Sequence, residues 1–174
     1  MTEIEIRPLR PGDEPGLARF REAIPDGERR FFKQDPGSLD QFPLSRGRWL
    51  VAVDGAEIVG LAAALPGSGW SSHVSELRIL VAPSHRGRGL GRELARRALR
   101  EAVELGCTHA YVEVVAAQEA LVAMFQDLGF APEALLADFV RDADGVQHDL
   151  MVLTYRVSDS WAKMDLLGVP GAVS

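Results

Sequence analysis

The residues richest in chemical meaning lie in one stretch, Val81-Ala82-Pro83-Ser84-His85-Arg86-Gly87-Arg88-Gly89-Leu90-Gly91. An apolar run ends at a proline-marked turn, arginine and glycine then alternate, and a long amphipathic pattern follows through Arg92. Glycine lets backbone approach a ligand with no Cβ in the way. The first N–H groups of a helix have no internal acceptor and lie at the positive end of its dipole. A strand feeding such a loop into a helix makes an anion site, most often for phosphate. Arg86 and Arg88 add charged donors, so the stretch is expected to hold a pyrophosphate. Two other phosphate loops fit poorly. A Walker A loop ends in Gly-Lys-Ser/Thr, and that tripeptide does not follow here. A dinucleotide fingerprint spaces its glycines G-x-G-x-x-G at a first βα turn, with an acid about 20 residues on. Here Gly87, Gly89 and Gly91 fall on every second residue, mid-chain, after a hairpin.

Other reactive groups form no nucleophilic or metal-binding pattern. His73, His85, His109 and His148 lack ligand spacing. The single cysteine, Cys107, excludes an internal disulfide and a cysteine metal cage. It follows Gly106 and precedes an apolar run, which suits burial at a helix-to-strand turn better than the electropositive setting of a nucleophile. The 174 residues suit one domain with a sizeable core. Net charge is −6, from 19 Lys and Arg against 25 Asp and Glu. That argues against nucleic acid as a partner and suits a cationic one such as an amine. No apolar run approaches the roughly 18 residues of a membrane span. Met1 to Ile6 is acidic and unlike a signal peptide, so a cytoplasmic protein is expected.

The elements that must position the loop can be read in order. Ile4 to Pro8 alternates as a short strand. Asp13 is placed to cap a helix with Pro15 in its first turn and Leu17, Phe20 and Ile24 on one side. Pro25 to Gly47 is punctuated by Pro and Gly, with Phe31, Phe32 and Phe42 and a short helix near Ser38 to Phe42; its aromatics either pack on the core or form a substrate lid. Trp49 to Val53 and Glu57 to Ala64 flank Asp54-Gly55, a strong hairpin signal. Val74 to Val81 is the strand that enters the loop. The next helix, about Gly89 to Leu105, places Leu90, Leu94, Ala98, Leu99, Ala102 and Val103 on one stripe. Glu93 with Arg97 and Arg100 with Glu104 are i,i+4 pairs, and Gly106 ends the helix. Ala110 to Val115 is a strand, so a parallel β-loop-α-β unit is expected. A helix from Gln118 to Leu128, an uneven strand from Phe130 to about Arg141, the turn Asp142 to Gly145 and a strand from Asp149 to Tyr155 complete the domain. Ser158 to Ser174 forms a tail whose Trp161, Met164 and Leu167 could share a helical face against the domain or a partner chain, a homodimer included.

The spacing Arg86-x-x-Gly89-x-Gly91, preceded by Val81-x-Pro83, resembles the acyl-CoA-binding motif of the GNAT superfamily of N-acyltransferases. The element order over residues 3–157 and Leu128-Gly129-Phe130 after the second helix are similar to that family as well. The resemblance implies a single α/β (α+β) domain with a mixed, mostly antiparallel sheet whose central strands splay apart after a bulge, here near Val81 and Val114. It implies acetyl-CoA as cosubstrate, with the backbone of Ile79, Leu80 and Val81 pairing with the pantetheine arm. The amides of Arg86, Gly87, Arg88, Gly89, Leu90, Gly91 and Arg92 would take the pyrophosphate.

Two positions depart from the family. Gln118 stands where an Asn binds the cofactor arm, and keeps an amide one methylene further out. Phe125 stands where a Tyr protonates the leaving thiolate, and has no proton to give. The implied activity is transfer of an acetyl group to a primary amine, on a small molecule or a protein, by direct attack and without a metal. The alternative is a non-catalytic acyl-CoA sensor. Glu76 is the first candidate for general base, ahead of Glu113 and His73. The segment Asp142 to Asp149, around His148, either meets the amine or is an ordinary hairpin tip.

Overall fold

The computed structural model describes residues 3–25 and 45–157. The Phe31 to Phe42 region, with the short helix expected near Ser38, and the tail from Ser158 lie outside these residues. The described residues form β1 (Glu5–Pro8), α1 (Glu14–Glu22), β2 (Arg48–Asp54), β3 (Glu57–Pro66), β4 (Val74–Val81), α2 (Leu90–Glu104), β5 (His109–Val115), α3 (Glu119–Asp127), β6 (Ala131–Arg141) and β7 (Gln147–Arg156). One seven-stranded sheet runs β1-β2-β3-β4-β5-β7-β6. Only β4 and β5 are parallel; the other neighbours are antiparallel. That is the mixed α+β architecture expected. Among the described residues no helix is long and apolar enough to cross a membrane.

Helices cover both faces. On one face, Leu90, Leu94, Ala95, Ala98, Leu99 and Ala102 of α2 are buried against the sheet. The approach is so close that a Cβ at Gly60 would come 2.7 Å from Leu94 Cδ1. The β2–β3 register slips between Ala52 and Val53, pairing them with Gly60 and Ile58. The slip sends Gly60 and Ile58 to opposite faces, and Ile58 duly meets α1, 3.0 Å from the position of a Cβ on Gly16.

Turn chemistry explains the boundaries. Asp54 pairs with Glu57, so the β2–β3 turn is Gly55-Ala56, with φ of +61° at Gly55. The Asp-Gly pair marks the hairpin as expected, with Asp54 itself the last strand residue. Gly106, at φ +84°, closes α2 by donating to Val103 O, and the Glu93–Arg97 pair forms at 3.0 Å.

Asp13 differs from expectation. It occupies the N-cap of α1, but its side chain makes no cap hydrogen bond. Its carboxylate instead accepts two hydrogen bonds from Arg7, each 2.8 Å, and one from the Arg10 amide at 2.8 Å. A bidentate guanidinium outcompetes a single backbone amide for a carboxylate, and the result ties β1 to α1. The Arg7 hydrogen bonds are the largest cause holding the Asp13 carboxyl at about 2, below its usual 3.8. A depressed carboxyl stabilises the fold above its unfolded value and loses that contribution as pH falls through the folded one. Thermal melting should therefore lose stability between about pH 4 and about pH 2. Asp13→Asn should start lower at neutral pH and fall less steeply across that window.

Candidate active site at a split between parallel strands

The parallel contact between β4 and β5 is short. Val74 pairs with His109, Ser75 with Ala110 and Glu76 with Tyr111, and there it stops. β4 continues to Val81 and β5 to Val115, so the sheet is split in its middle. The two bonds Ala82 N–H to Val59 O (2.9 Å) and Gly67 N–H to Val74 O (2.8 Å) lie in the β3–β4 register. Hydrogen-bonded pairs alternate along an antiparallel ladder, so the even-numbered residues of β4 spend their backbone groups on β3. Ile79 and Val81 therefore turn theirs to the split. Leu80, grouped with them by the sequence, is bonded toward β3. The register is also continuous from Gly60↔Val81 to Pro66↔Ser75. The strands thus part with no break in the β3–β4 register, where the resemblance implied that the two central strands splay after a bulge.

The loop sits at the mouth of the split. After β4 a single 3-10 turn, Pro83–His85, aims the chain toward α2. His85 Nε2 lies 3.2 Å from Asp54 Oδ2, and Ser84 Oγ lies 2.9 Å from His85 Nδ1, so the β2–β3 hairpin pins the loop. Gly87 and Gly89 have φ of +72° and +83°, values an L side chain adopts only under strain. Among the described residues no hydrogen bond takes up the N–H groups of Gly87 through Arg92. Arg86 donates from Nε to Val81 O at 3.0 Å, holding the loop against the end of β4, while Arg88 is exposed. A Cβ on Gly91 would sit 3.7 Å from Val81 Cγ2 and 3.8 Å from Met124 Sδ, so β4, α2 and α3 converge there. Arg92 bridges to Asp127 of α3 at 2.8 Å.

At the base of the split, on the face opposite α2, is a cavity of about 320 Å³ whose walls include Arg46, Leu65, Ser71, Glu76, Arg78 and Tyr111. Arg78 grips both oxygens of Glu76, at 2.9 and 3.2 Å. Glu76 and Tyr111 are the last residues paired across β4 and β5, so the cavity begins where the backbone pairing ends. Glu113, two residues on from Tyr111, is exposed on the same face. His73 precedes β4 at the end away from the loop, its ring edge-on to His109 at 5.5 Å.

On the α2 side, Gln118 is the exposed N-cap of α3, with no side-chain cap bond. Phe125 is 2% exposed. It packs edge-on against Phe130 at 5.3 Å, and Phe130 meets Tyr155 at 5.3 Å. Phe125 is thus part of the core beneath α3. Cys107 is buried as expected, and burial pushes its thiol up. Asp142 bonds His148 at 2.8 Å and accepts the amides of Asp144 and Val146. Those groups stabilise their own hairpin, as an ordinary turn does.

Residues 17–130 match the profile of the acetyltransferase (GNAT) family. The chain belongs to that family. It is 35% identical over 83 residues to YjgM, an uncharacterized N-acetyltransferase of Escherichia coli (strain K12), covering 47% of this chain and 49% of that protein. The chain thus spans about half the length of the curated relatives it matches. Its fold superimposes on a GNAT-family acetyltransferase from Streptococcus pneumoniae with a TM-score of 0.77 at 20% identity, covering 88% of this chain and 99% of that one. The structure of yncA from Salmonella typhimurium, solved with its cofactor acetyl-CoA, matches with a TM-score of 0.70 at 19% identity, over 88% and 94% of the two chains.

Within this GNAT fold the sequence pointed to Glu76 and missed Arg46, Arg78, Tyr111 and Trp70. Arg46 and Tyr111 reach the cavity from elements distant in the chain, which no local pattern could reveal. Glu76-x-Arg78 was legible as two charges on one face of an apolar strand. Trp70, 96% exposed on the loop that also supplies Ser71, was signalled by a lone tryptophan among Gly and Ser. The His85–Asp54 contact generates a prediction. Asp54→Ala should free the loop and weaken acetyl-CoA binding by roughly 3- to 10-fold, the range of one partly exposed hydrogen bond. Isothermal titration of wild type and variant with acetyl-CoA checks it, and an unchanged Kd would show that the hairpin does not position the loop.

Proposed function

We propose that this chain transfers an acetyl group from acetyl-CoA to a primary amine by direct attack on the thioester carbonyl. The observation that carries this reading is the split itself: backbone groups of Ile79 and Val81 face it, and the unaccepted amides of Gly87 to Arg92 stand at its mouth. An extended amide-bearing arm ending in a pyrophosphate suits that pair of features. Ile79 and Val81 would pair with the arm, the loop amides with Arg88 would take the phosphates, and Gln118 would reach the arm from α3.

In the reaction a C–N bond forms and the C–S bond breaks. The amine gives up a proton, and the thiolate leaves. We assign proton removal to Glu76, acting through water, with Arg78 fixing its carboxylate. Proton transfer by a positioned group contributes roughly 10²- to 10⁴-fold. Phe125, buried and aprotic, gives the thiolate no acid. A thiol with a pKa near 8.5 leaves without one. That same residue favours the second reading, a sensor that binds acyl-CoA without turning it over.

Acetyl-CoA at millimolar concentration should raise the melting temperature by several degrees. Gly89→Val should remove most of that shift, because its φ of +83° strains a β-branched residue even though nothing crowds the site. Glu76→Gln should keep the shift and lower kcat about 100-fold in a CoA-release assay on polyamines, amino acids, aminoglycosides and lysine peptides. No shift with wild type contradicts the cofactor reading. A shift with no CoA release on any amine selects the sensor.

A further inference from the structure

The cavity beside Glu76 holds a recognition element that amine acetylation by itself does not require. Its volume of about 320 Å³ is at the lower end of the range for small-molecule pockets, which suits an acceptor of amino-acid size. Among the described residues its charged walls are Arg46, Arg78 and Glu76. Arg78 and Glu76 form a close ion pair, so among the described residues the charge in excess is that of Arg46. The chain as a whole is acidic, at −6, but recognition follows the local groups. A second ammonium on the acceptor would face a guanidinium here.

Arg46 is held in place before any acceptor arrives. Its carbonyl accepts Trp49 Nε1 at 3.2 Å. Its Nε and Nη2 donate to Pro66 O at 3.2 and 2.6 Å. Gly47, at φ +73°, follows so close to β3 that a Cβ would strike the Ala64 carbonyl. A guanidinium has five N–H donors, and among the described residues Pro66 is the sole partner of this one. The remaining N–H groups form a planar fork of the kind that binds carboxylate in two-pronged fashion.

Resting on the acetyltransferase reading above, we infer that the acceptor is a small amine that also bears a carboxylate, in its simplest form an amino acid. Arg46 holds the carboxylate, and this places the amine toward Glu76 and the base of the split. Arg46 is then a specificity residue, acting on acceptor binding and leaving the cofactor side untouched.

The test uses matched pairs that differ only in the carboxylate: lysine and cadaverine, tryptophan and tryptamine, methionine and 3-(methylthio)propylamine. CoA release gives kcat and KM for each, and melting in the presence of CoA reports acceptor binding without turnover. The carboxylated member of at least one pair should be preferred by about 10-fold or more in kcat/KM and should raise the melting temperature above that with CoA alone. Arg46→Gln should shrink that preference chiefly through KM, while its own stabilisation by acetyl-CoA persists and shows the variant to be folded. Decarboxylated partners that match or exceed their amino acids overturn the inference. So does a preference that survives Arg46→Gln, or the lack of any thermal response to all three amino acids. Failure of acetyl-CoA itself to stabilise the wild type would instead overturn the acetyltransferase reading.

Discussion

A backbone N–H or C=O in the middle of a sheet must find a partner, and here two neighbouring strands withdraw theirs from each other. β4 and β5 pair over three positions and part after Glu76 and Tyr111. Both strands are secured on their outer sides. β4 is bonded to β3 along its whole length, and β5 to β7 from His109 to Val115. The split is therefore rigidly held open by its flanks, and the edge groups of Ile79 and Val81 are fixed in direction. Strong, obligatory hydrogen-bonding groups presented in this way are a template for an extended ligand. The remaining site features are arranged around that edge.

Two chemistries meet at it from opposite faces. On the α2 face, positive φ angles at Gly87 and Gly89 turn the chain so that loop and helix amides share one mouth, and His85, Arg86 and Arg92 tie that mouth to the hairpin, the strand and α3. On the other face lies a charged cavity whose floor is the last paired residue of each central strand. The fold thus separates a loop whose backbone amides stand at the mouth of the split from a cavity walled mainly by side chains. Backbone amides tolerate sequence change, whereas a wall made of Arg46, Glu76 and Arg78 depends on those side chains.

The same division decides what was legible in the sequence. The loop, the hairpin at Asp54-Gly55, the α2 stripe and the Gly106 terminus rest on local rules of glycine, turn and period, and the structure agrees with them. What failed were inferences about partners. Asp13 has the right type and place for a cap, yet Arg7, six residues earlier, takes its carboxylate. Leu80 stands between two edge residues, and the phase of the β3 ladder removes it from them. A bulge where the central strands splay was expected from family likeness, and the β3–β4 register runs uninterrupted. Phe125 stands at the position of the family's Tyr, and here it is buried against Phe130 in the core. Arg46 could not be foreseen at all, because its relation to Glu76 exists only once β2 and β4 flank β3.

The central claim is that the diverging edge of β4 pairs with acetyl-CoA, and residue-resolved amide hydrogen exchange tests it most directly. On addition of acetyl-CoA the amides of Ile79 and Val81 and those from Gly87 to Arg92 should slow markedly. Leu80, whose amide is bonded into the β3 ladder, should change little. Slowing spread evenly over Ile79, Leu80 and Val81, or no slowing at Ile79 and Val81 when acetyl-CoA is bound, would contradict the account.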